Sequence, residues 1–180
     1  MLLRKINAGL ALLTTILLLD HAIFLSVWML SRGSITKSET VMPWILMVLM
    51  VIHALISIDL GISAHSNIEK VECKKYSKLN LGTMVQRMSG IFMMILLVLH
   101  IIGASNHYQP KILHAVFHPI FFGLVLAHVA VSTSKSLIAL GIGNAKVVKV
   151  VDVVVKVICG VTFVGGAVGF YLFLFMGAAQ

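Results

Sequence analysis

The chain is poor in charge and poorest in acid. Only 11% of its 180 residues are charged, with 6 Asp and Glu against 14 Lys and Arg. A soluble domain ordinarily carries about a quarter charged residues, so that class is excluded. Proline is scarce at 3 residues and glycine stands at 14, which excludes a low-complexity linker and a disordered tail. The 2 cysteines, Cys73 and Cys159, lie in different segments and form no CxxC or CxxCH pattern. A disulfide scaffold, a thiolate metal site and covalent c-type haem attachment are thereby disfavoured.

What the chain has in abundance is apolar surface: 59% of residues are hydrophobic and the mean hydropathy is +1.05. A spanning helix takes about 20 apolar residues, so five spans would use about 100 residues. Five segments fit, at roughly 7–30, 42–63, 84–104, 112–133 and 153–176. They predict an all-α integral membrane protein, a five-helix bundle forming one membrane domain over residues 1–180. Between the spans stand a polar turn at 32–40, a charged stretch at 69–80, a link at 106–111 and a connector at 134–149. The first segment follows Arg4 and Lys5, as a signal peptide would. Its apolar run is too long for one, contains Asp20 and His21, and lacks a small-residue cleavage pattern, so it reads as a retained helix.

Loop charge sets the expected orientation. Arg4 and Lys5, then Lys70, Lys74, Lys75 and Lys78, then Lys146 and Lys149 fall on one side, with Arg87 and Lys135 at the span ends facing it. The other side holds Arg32, Lys37 and Lys111. By the positive-inside rule the N-terminus is cytoplasmic and the C-terminus outside, in the cell membrane. The basic surplus is thus topological charge beside a lipid bilayer, and nucleic acid is not an expected partner.

An ionisable side chain inside a bilayer costs free energy and by default marks a functional site. His21, His53, His100 and His128 lie well within the first four segments, one on each. A single such histidine is readily explained as a core residue bonded to a nearby carbonyl. Four on consecutive helices, each bearing its own desolvation cost, are not. His21 lies roughly 24 Å along its helix from Lys5 and His100 roughly 24 Å from Met84, which puts both toward the outer side. His128 comes about 10 Å before Lys135, toward the cytoplasmic side. His53 is near mid-segment, and by elimination it pairs with His128. The result is an outer and an inner pair about 14 Å apart in depth.

Helix faces agree with this grouping. Asn7, Thr14, His21 and Trp28 recur every seven residues as one polar stripe, and Ser89 shares a face with His100. His53 with Ser57 and Gly61, and His128 with Ser132, are also single-face sets, whose hydroxyls could bond a ligand's second nitrogen. Zinc would recruit further ligands at each pair, and no carboxylate stands beside either. Two imidazoles facing across an apolar slot suit a b-type haem, which in bis-histidine form transfers electrons without activating oxygen. Two haems b at different depths would make a wire across the bilayer.

The second and third segments carry the text IHALISI, a basic loop, then QRMSGIFMMILLVLH. This resembles the membrane-anchor cytochrome b subunit of succinate dehydrogenases and quinol:fumarate reductases, in its single-chain, five-helix, dihaem branch. There an [HQ]-R-x-[ST]-G motif opens the third helix and a histidine follows 14 residues after its first position. Gln86, Arg87, Ser89, Gly90 and His100 match it, and AHVAVSTSKSLIALGIG is similar to the family's fourth-helix end. The likeness runs from His21 to the fifth segment. It implies a distal haem on His21 and His100 and a proximal haem on His53 and His128. It also implies flavoprotein and iron–sulfur subunits docked on the cytoplasmic face, with menaquinone as electron donor or acceptor. On that reading the chain is a non-catalytic electron-transfer subunit of an oxidoreductase complex.

Secondary candidates follow. Arg87, Ser89 and Lys135 stand where haem propionates or the haem pocket could be contacted, against the alternative of snorkelling to headgroups. His114 and His118, an i, i+4 pair at the outer start of the fourth helix, could contact the distal haem or a quinone, or simply be interfacial. Asp20 and Asp59 point away from the neighbouring histidine faces, and Glu39 is the only acidic residue on the outer side. His65 and His107 read as solvated. Gly160, Gly165, Gly166 and Gly169 read as close-packing positions of a fifth, covering helix, with Asp152 and Lys156 paired at its start. Three rival readings remain at this point: the anchor of another flavin-dependent reductase, a histidine-bearing transporter without haem, and a purely structural anchor. A transporter would show helices broken at mid-membrane, and Pro43, Pro110 and Pro119 read as lying at or near span ends.

Overall fold

The computed structural model describes residues 2–31, 37–68, 81–105 and 111–176, and the side chains of 2–31, 41–62, 84–102 and 115–175. These form five helices: α1 (Leu2–Ser31), α2 (Lys37–Ile68), α3 (Leu81–Ser105), α4 (Lys111–Ala139) and α5 (Ala145–Met176). Four of them, α1 to α4, are long and apolar enough to cross a membrane. Lipid explains their uniformity: where no water reaches the backbone, a lone segment satisfies its N–H and C=O groups only as a helix.

Every helix outruns the apolar segment expected for it. Lys37–Thr40, expected in a turn, belong to α2, and the connector expected over 134–149 shrinks to 140–144 between α4 and α5. The reason is that hydropathy marks the lipid-buried part, whereas helical hydrogen bonding continues into the interface until something stops it. At the end of α4 Gly141 does so. Its φ of 97° is the left-handed conformation that closes a Schellman cap. Its N–H donates to Ile138 O at 3.0 Å and the Ile142 N–H to Leu137 O at 3.0 Å. Asn144 then opens α5, its Oδ1 accepting from the N–H groups of Lys146 at 3.0 Å and Val147 at 3.4 Å.

Helices α1 and α4 pack on each other, α5 packs against both, α2 rests on α1 and α3 on α4. The core sits where α1, α4 and α5 meet: Leu126, Val129 and Cys159 are buried, with Leu18, Leu19, Phe122 and Val155 against them. Two of the four α5 glycines are required by close approach. A Cβ at Gly166 would stand 2.9 Å from Ser26 Oγ and closer still to Phe122, and one at Gly169 would stand 3.2 Å from Leu30. Gly160 and Gly165 meet nothing within 4 Å, so the close-packing expectation fails for them: α5 is rotated to turn them outward.

Pro43 and Pro119 stand near the starts of the spans Val41–Ile62 and Ala115–Ala139, as expected, yet inside α2 and α4, which begin earlier. Proline lacks the N–H that would bond the carbonyl four residues back. For Pro119 that carbonyl is Ala115 O, and the Tyr171 hydroxyl of α5 donates to it at 2.9 Å. A neighbouring side chain thus re-satisfies the freed group, and α4 runs on unbroken.

Candidate functional site

The four histidines of the spans gather at two levels, and each level draws on both sides of the bundle. At the first, His53 of α2 and His128 of α4 interact electrostatically. The His53 ring also reaches the main chain of Asn7, whose side-chain amide donates to Ser57 Oγ at 3.1 Å. His53 therefore stands level with the second turn of α1, a depth that segment arithmetic leaves open. At the second level, His100 of α3 interacts with His21 of α1 and His118 of α4. From His118 to His128 along α4, and from Ser89 to His100 along α3, the levels lie about 15 Å apart.

His128 is held with the most detail. Its Nδ1 lies 3.1 Å from the Gln86 carbonyl oxygen and 3.1 Å from Ser89 Oγ. The Ser89 hydroxyl also lies 3.2 Å from that carbonyl. A carbonyl can only accept, so Nδ1 carries the ring proton and Nε2 keeps a free lone pair. Beside the ring is Gly90, where a Cβ would stand 3.2 Å from His128 Cε1. The QRMSG turn is therefore a cradle for an imidazole on the facing helix. Ser132, on the face of His128, donates instead to the main-chain oxygen of His128 at 2.6 Å, and Ser57 is engaged with Asn7. Neither bonds a histidine's second nitrogen, and the hydroxyl that does so comes from α3.

Above His128, Lys135 Nζ donates to Gln86 Oε1 at 2.9 Å and shares an electrostatic interaction with Arg87, whose side chain is exposed. Two cations thus stand together at this end of α3 and α4.

The second level is aromatic. His100 stacks on Phe121 with centroids 5.1 Å apart and meets His118 edge-on at 5.4 Å. His118 stacks in turn on Phe170 of α5 at 4.9 Å. The sequence singles out His118 as a candidate contact of the distal haem or a quinone, and the structure seats it against His100. It does not single out Phe121 or Phe170, though Phe121 lies three residues after His118, on nearly the same face. The side chains of His114 and Glu39, and those of His65 and His107, lie outside the described residues. Asp20 and Asp59 are exposed on the outside of their helices, Asp20 still within electrostatic reach of His21.

Four buried polar atoms among the described residues have no hydrogen-bond partner: His53 Nδ1, His100 Nδ1, Thr14 Oγ1 and Trp28 Nε1. Two are ring nitrogens of the paired histidines, and two lie on the seven-residue stripe of α1 that carries His21. Buried polar atoms are rarely left unpaired, and these four lie on the helices that carry the histidines or on the α1 stripe. Among the described residues no three His, Cys, Asp or Glu side chains converge on one point. The donor set is pairs of imidazoles, which suits a two-axial-ligand group and not a three-ligand zinc site. Compared with known proteins, the chain matches no family model, no curated protein and no solved structure.

Proposed function

We propose that the chain is a dihaem cytochrome b, the membrane anchor of a succinate dehydrogenase or fumarate reductase complex, carrying electrons between a cytoplasmic flavoprotein/iron–sulfur module and menaquinone. One observation carries this reading: histidines of facing helices come together at two levels, His53 with His128 and His21 with His100, and the Gln86 carbonyl leaves Nε2 of His128 unprotonated. His21 and His100 would hold the distal haem, His53 and His128 the proximal one. A haem b between two imidazoles supplies reversible one-electron chemistry with no open coordination position.

The chain's own residues do the rest. The Gln86 carbonyl keeps the His128 proton on Nδ1, so the opposite nitrogen is the one offered to iron. Lys135 and the neighbouring Arg87 place positive charge beside the inner level, where the propionates of a haem would gain charge-assisted hydrogen bonds. His118, seated between His100 and Phe170, would touch the distal haem or a quinone at the outer level. Residues 157–176 of α5 contain no charged side chain, which supports a fifth crossing and an outer C-terminus, with the basic loops cytoplasmic. Helices that continue through Pro43 and Pro119 speak against a proton-relay transporter, which needs broken helices at mid-membrane.

The test is a dithionite-reduced minus oxidised spectrum of the purified protein with a pyridine haemochrome count. Two haems b per chain are expected. One would mean that one pair is misassigned, and none in a folded preparation would refute the proposal.

A further inference from the structure

A groove unrelated to the histidines runs down the outside of the bundle between α4 and α5. Its upper part is a cleft of about 650 Å³ beside the α4–α5 connector, where Ser134, Lys135, Lys149, Asp152 and Lys156 line one region. Ala130, at the foot of this cleft, also lines a shallow, open depression of about 280 Å³ that continues the groove along α5. That lower part is apolar throughout and floored by small residues, among them Gly123, Ala127 and Gly160, with Phe163 at its side.

Charge and shape are those of one kind of ligand. Lys149 and Lys156 stand against a single aspartate in the upper cleft, beside Lys135, which donates to Gln86 Oε1. Asp152 is already engaged by Lys156 at 2.5 Å, the pairing expected from their spacing. That contact turns the Lys156 head back toward the connector and away from the apolar groove below. Lys149 is exposed at the mouth. From Lys149 to Phe163 the groove descends about 21 Å along α5. One leaflet of the hydrocarbon core is about 15 Å deep, so a chain anchored at the lysines would lie against protein through its whole leaflet. A peptide from a soluble subunit would have no use for the lower half.

We propose that the α4/α5 groove is a binding site for an anionic phospholipid, its phosphate at Lys149 and Lys156 and one acyl chain along Ala130, Ala127 and Gly160. Basic clefts between membrane helices on the side carrying the positive loops are suited to such headgroups, at about a fivefold gain in affinity for each lysine engaged. Neither Lys149 nor Lys156 takes part in the histidine levels.

Native mass spectrometry of the purified protein titrated with phosphatidylglycerol and with phosphatidylcholine of the same acyl chains tests it. One phosphatidylglycerol per chain is expected to be retained, at least fivefold more tightly than phosphatidylcholine. Lys149→Gln should weaken it about fivefold. Gly160→Leu should remove it with every lysine intact, because a Cβ there meets nothing within 4 Å and the side chain fills only the groove. Equal retention of the two lipids overturns the proposal, as does a Gly160→Leu variant that binds like the parent. Displacement by inorganic phosphate alone would reduce the site to a bare anion contact and overturn it too. Circular dichroism of both variants separates loss of the site from loss of the fold.

Discussion

Replacing Gly90 by alanine is the sharpest probe of how α3 serves α4. The added Cβ would stand 3.2 Å from His128 Cε1 and 3.6 Å from its Nδ1. Carbon atoms rest at about 3.5–4.0 Å, so the ring must give by a few tenths of an ångström. Its two Nδ1 contacts, both 3.1 Å now, are near the long end of the normal range and have little slack. Stretching them to about 3.5 Å forfeits a buried hydrogen bond, a loss of about 1–3 kcal/mol. Alanine returns about 1 kcal/mol of helix propensity, so the helix still forms and the damage falls on the imidazole's position. Gly90→Ala is therefore expected to lower the haem count from two toward one, or to shift the absorption of one haem only. Ser89→Ala should do less, about 1 kcal/mol, because the Gln86 carbonyl still accepts from Nδ1. A Gly90→Ala protein with both haems and an unchanged spectrum would refute the cradle, and so would Ser89→Ala proving the more damaging of the two.

Three further outcomes are expected. Single alanine substitutions at His21 and His100 should remove the same haem, and those at His53 and His128 the other; low-temperature reduced spectra of the four variants check the grouping, and crossed losses would break it. Gly166→Ala should destabilise the α1–α5 contact by about 1–3 kcal/mol, because its methyl group collides with Phe122 and Ser26, while Gly165→Ala, facing open space, should be neutral. Unfolding in mixed micelles measures both. Tyr171→Phe should cost about 1–3 kcal/mol in the same assay by stranding the Ala115 carbonyl, and the added substitution Pro119→Ala, which restores the missing N–H, should recover part of it.

The parts of this molecule that are legible in its sequence are those set by one-dimensional quantities. Hydropathy counts apolar residues in a row, and it finds the four helices α1 to α4 that are long and apolar enough to span, while the fifth expected span is not among them. Rise per residue converts position into depth, and it separates His21 and His100 from His128. Heptad spacing finds the stripe from Asn7 to Trp28, whose Thr14 is buried as expected. Each of these fails where a second helix enters. His53 sits at mid-segment, and only its reach to Asn7 on α1 fixes its level. The four α5 glycines look alike in sequence, yet the rotation of α5 about its axis decides that Gly166 and Gly169 face α1 while Gly160 and Gly165 do not.

The cradle shows why the site was harder to read than the fold. QRMSG can be recognised as a pattern, but the group that orders His128 most directly is the main-chain oxygen of Gln86, which every residue type possesses equally. What distinguishes the position is a missing side chain: Gly90 leaves the space through which the ring approaches that oxygen. Ser89 and Gly90 thus contribute to one contact by opposite means, a hydroxyl supplied and a methyl group withheld, with Ser89 lying 39 residues away from the histidine they position. A chain that spends a small residue and a buried hydroxyl on the orientation of one imidazole is constraining which ring nitrogen is exposed. On the proposed reading, the cradle presents the other ring nitrogen of His128 to haem iron. On the rival reading, the same carbonyl contact belongs to a hydrogen-bonded core histidine, and the haem count of Gly90→Ala tells the two apart.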